Sequence, residues 1–202
     1  MKKILIIALL LLNLITFSQT IKPLSAFRTD TQPSSADEII TPVYYKDIRN
    51  YFTPFLGTWT SQIGINTFVV TFWKETQKPI ERDGGILYYS DEIFGHYKLV
   101  QNYGTNNEFI IYTSQINYLN SPTPIFTAIF ATSTFYNKLG ATIYDINTMT
   151  NEKYWGVRGS LEMIATNTTN AIPTTATWKI SKTEEINPGN FIIPTDITLT
   201  KQ

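Results

Sequence analysis

Apolar and polar residues alternate in short stretches along the chain from about residue 57 onward. Within 153–165, for example, Leu161 and Met163 fall on one face and Glu162 falls on the other. A period of two residues is typical of a β-strand with one buried face. Gly, Pro and Asn separate the stretches and favour turns. The pattern predicts nine or ten strands, at 58–63, 67–75, 86–93, 96–101, 108–115, 125–136, 140–146, 153–165, 174–180 and around 197–199.

Many short strands at close spacing predict an all-β fold, either an antiparallel barrel or a β-sandwich. The strand that contains Phe68, Phe72 and Trp73 is apolar on both faces. Such a strand suits a barrel that holds a ligand, and it also suits a sandwich with one covered face. No segment longer than about one turn has a helical period, and we expect Asp47 to cap a single turn that ends at Pro54. We predict the barrel, with the sandwich as the alternative.

The N-terminal residues predict an export signal followed by an arm. Two lysines precede an apolar run from Ile4 to Leu12 that is too short to span a bilayer, and small residues suit cleavage after Ser18. The next residues have no clear period and contain three prolines. We predict a signal peptide at 1–18, a flexible arm at 19–43 and one barrel domain at 44–202. The protein would then lie in the periplasm or outside the cell, with no membrane-spanning segment after signal removal.

Composition narrows the possible chemistry. Sixteen basic and sixteen acidic residues give zero net charge, so the chain has no basic surplus for a nucleic acid. The absence of cysteine excludes disulfides, thiolate metal sites and a cysteine nucleophile. The one histidine, His96, cannot form a zinc site alone, and no Gly-x-Ser-x-Gly motif supplies a serine nucleophile. We therefore expect no catalytic residue, no metal, no cofactor and no enzymatic activity.

The carboxylates give no clear catalytic pair. Asp91 and Glu92 are adjacent, so on a strand they point to opposite faces and cannot act together. Arg158 and Glu162 would contact a ligand if their face were the barrel interior, and they would be solvated if it were the outside. The outside is favoured because the apolar face of the strand is expected to turn inward. Asp145 lacks the glycine and the distal glutamate of a calcium loop.

The segment Phe55–Trp59 reads Phe-Leu-Gly-Thr-Trp and opens the all-β part of the chain. It resembles the Gly-x-Trp motif of lipocalin-like (calycin) barrels, in which a short helical turn precedes the first strand. The resemblance implies that Gly57 and Trp59 close one end of the barrel and that a basic side chain late in the chain packs over the indole. Arg158 and Lys201 are the candidates for this cover. A cation over an indole contributes about 0.5–2 kcal/mol, so the implied role is structural.

Several segments together resemble a family of uncharacterised exported proteins from Bacteroidota-type bacteria, known as a domain of unknown function. The resemblance covers about residues 44–202, and it implies export and an all-β fold. The family has no established activity, so the resemblance implies no catalytic residues. The segments are Gly57–Trp59, Tyr88–Tyr97, Thr177–Ile180 and Phe191–Lys201.

The sequence leaves two functions open. In the first, the exported barrel binds a small apolar or amphipathic ligand, and Phe68, Phe72, Phe109 and Trp155 line its cavity. In the second, the barrel is filled by its own side chains. The protein is then an envelope or cell-surface module whose tyrosine-rich faces meet a protein or a glycan. The tyrosines also suit ordinary packing between strands. The two functions differ in the volume of the internal apolar cavity.

Overall fold

A computed structural model describes residues 19–31, 41–115, 128–135, 137–150, 156–166, 174–183 and 189–202. These residues form eleven strands and two short 3₁₀ helices, at Leu24–Arg28 and Ile146–Thr148. The all-β prediction is confirmed. The strands are β1 (Ile21–Pro23), β2 (Val43–Lys46), β3 (Gly57–Ile63), β4 (Asn66–Arg82), β5 (Gly85–Gln101), β6 (Phe109–Thr113), β7 (Ile129–Phe135), β8 (Lys138–Asp145), β9 (Val157–Ala165), β10 (Thr175–Lys182) and β11 (Asp196–Lys201).

Eight of the strands form a closed antiparallel barrel. The order along the barrel wall is β3, β4, β5, β7, β8, β9, β10 and β11. Strand β11 then pairs with β3, with Thr200 opposite Thr60 and Lys201 opposite Trp59, and this pairing closes the circle. The prediction of a barrel rather than a sandwich is confirmed. Closure gives each wall strand two hydrogen-bonded neighbours, so the wall has no unpaired sheet edge.

Strand β9 shows which face of the wall forms the core. Leu161 and Met163 are fully buried, whereas Arg158 and Glu162 are partly exposed. Glu162 forms an ion pair with Lys138 on the neighbouring strand β8. The prediction that the apolar face turns inward, with Arg158 and Glu162 on the outside, is confirmed.

Strands β4 and β5 are longer than the sequence predicts, at 17 residues each. Asp83 and Gly84 join them, and both have positive φ, 54° and 82°, as in the two-residue turns that suit antiparallel hairpins. The expected break at Gly95 is wrong, because β5 runs through this residue. A Cβ atom at Gly95 would lie 2.8 Å from the ring of Phe72. The glycine therefore makes room for a neighbouring aromatic side chain and does not mark a turn.

The chain divides into two compact units. The larger unit contains residues 47–76 and 91–202. It includes the barrel wall, and also β6, which pairs with the last residues of β5. The smaller unit contains the chain up to Lys46 together with residues 77–90.

The smaller unit has secondary structure where the sequence predicts a flexible arm. Strand β1 pairs in parallel with β2, which pairs in parallel with the first part of β5. The rings of Phe27, Tyr45 and Tyr88 pack with centroids 5.1, 5.2 and 5.7 Å apart. Lys22 forms an ion pair with Asp30 at 2.7 Å. These contacts order a segment that has no regular apolar period of its own. The predicted signal peptide at 1–18 lies outside the described residues and stays a prediction.

Candidate functional site

The Gly-Thr-Trp segment forms a packed corner at one end of the barrel, which we call the indole end. Trp59 is fully buried, and its indole N–H donates a hydrogen bond to the carbonyl of Phe55 at 2.8 Å. Gly57 has a φ of 101°, a value that favours glycine, and it leads the chain from the preceding turn into β3. The corner is therefore held by the protein's own backbone.

A lysine covers the indole of Trp59. The Lys201 ammonium lies 5.1 Å from the ring centroid and donates a hydrogen bond to the carbonyl of Pro54 at 2.8 Å. Burial lowers the pKa of Lys201. Arg158, the other basic residue that the sequence suggests, instead lies 6.0 Å from the ring centroid of Tyr144. The cover over the indole is thus Lys201 and not Arg158.

A buried ion cluster holds the turn at the indole end. The Lys74 ammonium lies 2.9 Å from the carboxylate of Asp91 and 3.4 Å from that of Asp47. The Asp47 carboxylate also accepts hydrogen bonds from the backbone N–H groups of Tyr51 and Phe52, at 2.8 and 3.2 Å. The predicted cap at Asp47 is therefore confirmed. The side chains of Asp47 and Asp91 are 2% and 0% exposed, so a dissolved substrate does not reach them.

The opposite end of the barrel, which we call the carboxylate end, is closed around Asp145, the last residue of β8. Asp145 is fully buried, and its Oδ2 atom accepts backbone hydrogen bonds from Ile192 at 2.6 Å and Ile193 at 3.1 Å. Its Oδ1 atom lies 3.2 Å from the hydroxyl of Tyr97. Burial and the charge of Asp145 raise the pKa of Tyr97, so this hydroxyl stays protonated. Asp145 thus fixes the segment before β11 across this end.

The interior between the two ends is packed with side chains. The ring centroid of Phe68 lies 5.7 Å from that of Trp178 and 6.0 Å from that of Tyr97. A side chain that lines a cavity of water size keeps accessible surface even when the cavity is closed. Every wall strand contributes at least one inward side chain with 0% exposure, so none of these side chains borders such a cavity. They are Trp59, Phe68, Ile93, Tyr97, Ile129, Leu139, Ile143, Leu161, Met163, Trp178 and Leu199.

The side chains predicted to line a ligand cavity do not form one group. Phe68 and Phe72 lie inside the barrel and are 0% and 2% exposed. Phe109 lies on β6, outside the barrel wall, and is 63% exposed. Trp155 lies outside the described residues. Only Phe68 and Phe72 of the described three share the interior.

The single histidine lies on the outer face of β5. The ring of His96 packs 5.4 Å from that of Trp73. Burial and the charge of Lys98 lower the pKa of His96, so the imidazole is neutral at pH 7. Its Nδ1 atom is buried without a hydrogen-bond partner, so no neighbouring group orients the ring as in a catalytic triad. In the part of the chain that the structure describes, no cluster of three acidic or histidine side chains could hold a metal ion.

An aromatic stripe crosses the outer face of four wall strands. Trp73, Phe94, Phe130 and Tyr144 follow one another from β4 to β8, with centroid distances of 6.2, 5.7 and 6.2 Å. The first and the last two are partly exposed, whereas Phe94 is 2% exposed. Much of the tyrosine and phenylalanine content of the outer face therefore packs between neighbouring strands.

The closed barrel of eight antiparallel strands, with almost no helix, is consistent with the lipocalin-like class of barrels. Across the described ranges, no helix is long and apolar enough to cross a membrane. The chain belongs to a family of unknown function, DUF6705, whose model matches residues 1–202. No curated protein and no solved structure matches the chain. The family therefore brings no activity with it, and the argument on function depends on the barrel itself.

Proposed function

We propose that this protein is an exported, non-enzymatic module that binds a protein partner through the outer surface of a filled barrel. The observation that carries this proposal is the packed interior. A site for a small ligand has a volume of about 300 Å³ or more. Such a cavity would leave accessible surface on several inward side chains, yet every wall strand contributes one with 0% exposure. The interior supports the second of the two functions that the sequence leaves open.

Both ends of the barrel support the same proposal. A ligand that entered at the carboxylate end would have to displace the segment that Asp145 holds by two backbone hydrogen bonds. A ligand that entered at the indole end would have to open the cluster of Lys74, Asp47 and Asp91. Either step leaves buried polar groups without partners, at a cost of about 1–3 kcal/mol for each group.

The outer surface has features that suit a protein partner. Exposed large apolar side chains occur on β6 and at the hairpin between β3 and β4, where Ile65 is 73% exposed. Contiguous apolar surface of this kind marks interaction sites on soluble proteins. A non-enzymatic role is consistent with the unoriented imidazole of His96 and with the burial of Asp91 and Asp145.

Native mass spectrometry of residues 19–202 tests whether the interior carries a ligand. We expect the mass of the bare polypeptide after gentle purification, and the same mass after incubation with fatty acids, phospholipids and apolar dyes. A discrete added mass that disappears on denaturation would contradict the filled barrel and would support a carrier.

A matched pair of substitutions shows whether the interior can be emptied. Phe68→Ala removes the ring that contacts Trp178 and Tyr97, so we expect a loss of about 3–5 kcal/mol in the free energy of unfolding and new binding of benzene. Phe109→Ala makes the same change at a side chain that is 63% exposed, and we expect a loss below about 0.5 kcal/mol and no benzene binding. Equal losses in chemical denaturation would contradict the assigned interior.

Export is tested separately by fractionating bacterial cells that express the full chain. Cleavage after Ser18 would give an exported product that begins at Gln19. A cytoplasmic product that retains residues 1–18 would contradict export and would leave the filled barrel untouched.

A further inference from the structure

We propose that two copies of this chain associate through strand β6. Among the described residues of the larger unit, β6 lies outside the closed wall and pairs with β5 alone. The wall strands have a neighbour on each side, whereas β6 has a neighbour on one side. An edge strand of this kind is a template for contact with another chain. This inference depends on β6 and not on what the barrel interior contains.

The side chains of β6 are apolar and exposed in an unusual run. Phe109, Ile110 and Ile111 are 63%, 48% and 44% exposed. The pairing register shifts between Leu99 and Val100 and leaves Ile111 without an opposite residue. A bulge at this point explains why successive apolar side chains reach the surface. Natural edge strands usually carry charge or proline against association, and the sequence of β6, Phe-Ile-Ile-Tyr-Thr, has neither.

More exposed apolar residues lie at the same end of the barrel as β6. Phe109 pairs with Gln101 at the end of β5, which is next to the start of β4. Ile63 and Ile65, at 38% and 73% exposure, flank the hairpin that leads into β4, and Ile192 is 58% exposed beside the Asp145 hydrogen bonds. The carboxylate end thus carries most of the exposed large apolar side chains of the larger unit.

Charge indicates a second copy as the occupant. The charged neighbours of β6, Lys98 and Glu108, pair with each other at 2.6 Å, and the whole chain has zero net charge. Two neutral surfaces of this kind meet without repulsion, and a net charge near zero favours association. An anionic lipid surface would instead favour clustered basic residues, which β6 lacks. The surface is small beside the about 800 Å² per partner of a standard interface, so we expect a weak dimer.

Sedimentation equilibrium of residues 19–202 over a wide concentration range tests this association. We expect a monomer–dimer equilibrium with a dissociation constant in the range of about 1 μM to 1 mM. Ile110→Lys places a charge on β6 and should weaken association at least tenfold. Ile48→Lys makes the same change at a residue of similar exposure, 54% against 48%, in the turn at the indole end, and it should leave association unchanged.

Amide hydrogen exchange locates the contact. Exchange of the amides of β6 should slow as protein concentration rises, and exchange in the turn around Ile48 should not. Three results would overturn the proposal: a wild-type protein that stays monomeric at about 1 mM, equal weakening by both substitutions, or open-ended association in place of a closed dimer. Circular dichroism shows whether each variant retains the wild-type fold, and Phe109→Ala is the second variant if Ile110→Lys does not.

Discussion

Buried carboxylates close both ends of the barrel, but the two ends use different chemistry. At the indole end, Asp47 and Asp91 face the ammonium of Lys74. At the carboxylate end, Asp145 accepts hydrogen bonds from two backbone amides and faces the neutral hydroxyl of Tyr97. Removing one member of an ion cluster leaves uncompensated charge, whereas removing a central acceptor leaves several donors unpaired. The first end therefore depends on charge balance and the second on hydrogen-bond geometry.

The largest effect should come from the carboxylate end. Asp145→Ala leaves the amides of Ile192 and Ile193 and the hydroxyl of Tyr97 without their acceptor. Each buried donor costs about 1–3 kcal/mol, so we expect a loss of about 4 kcal/mol in the free energy of unfolding, measured in urea. Asp145→Asn keeps one acceptor oxygen and should cost less. A loss below about 1 kcal/mol for the alanine variant would show that this residue does not hold the end.

The indole end should respond to charge balance with a somewhat smaller effect. Lys74→Met leaves Asp47 and Asp91 buried without their cation, and we expect a loss of about 3 kcal/mol. Adding Asp91→Asn to this variant should restore part of the loss, because it removes one uncompensated charge. Lys179→Met is the control, since Lys179 and its partner are 62% and 73% exposed and such pairs contribute about 0–1 kcal/mol. A double variant no more stable than Lys74→Met would contradict the charge argument.

The cover over the indole should contribute less than either cluster. Lys201→Met removes the cation over Trp59 and the hydrogen bond to Pro54, and we expect a loss of about 0.5–2 kcal/mol. Arg158→Met removes the cation over Tyr144 on the outer face and should cost less. Thermal unfolding followed by tryptophan fluorescence measures both. The order of the two losses is the test, and a larger loss for Arg158→Met would reverse the assignment of the cover.

The smallest effect should be the pH dependence that the only histidine confers. The pKa of His96 in the folded protein lies below its usual value, so between the two values the unfolded chain binds more protons. Stability should therefore fall as pH drops below about 6.5 and should be insensitive to His96 above that pH. His96→Gln should remove this part of the slope in urea unfolding between about pH 5 and 7. An unchanged slope in the variant would assign the dependence to carboxylates.

The sequence predicted those features that depend on local pattern. The period of two in β9 placed Leu161 inside and Glu162 outside, and Asp47 followed the usual chemistry of a cap. The Gly-x-Trp resemblance implied the buried indole of Trp59, but it left Arg158 and Lys201 as equal candidates. Only the register of β11 against β3 brings Lys201 to the indole.

The features that the sequence did not predict depend on contacts between distant residues. Asp91 was judged beside Glu92, its neighbour in the chain, whereas its partner Asp47 is 44 residues away. Gly95 has the composition of a turn signal, but its role is to accommodate Phe72. Phe109 belongs to an apolar strand like those of the wall, and nothing local shows that its strand lies outside the wall. Asp145 matched no motif, because its partners are backbone amides 47 and 48 residues away.

The pairing of β3 with β11 also has a consequence for the order of folding. Thr60 and Thr200, which meet at this seam, are 140 residues apart in the chain, and loops of such length close slowly. Until β11 is available, β3 and β10 each have an unpaired edge, and both are open to association with other chains. A nascent chain cannot complete the circle before Lys201 has left the ribosome. The barrel therefore remains an open sheet throughout synthesis, a state that suits transport across a membrane before folding.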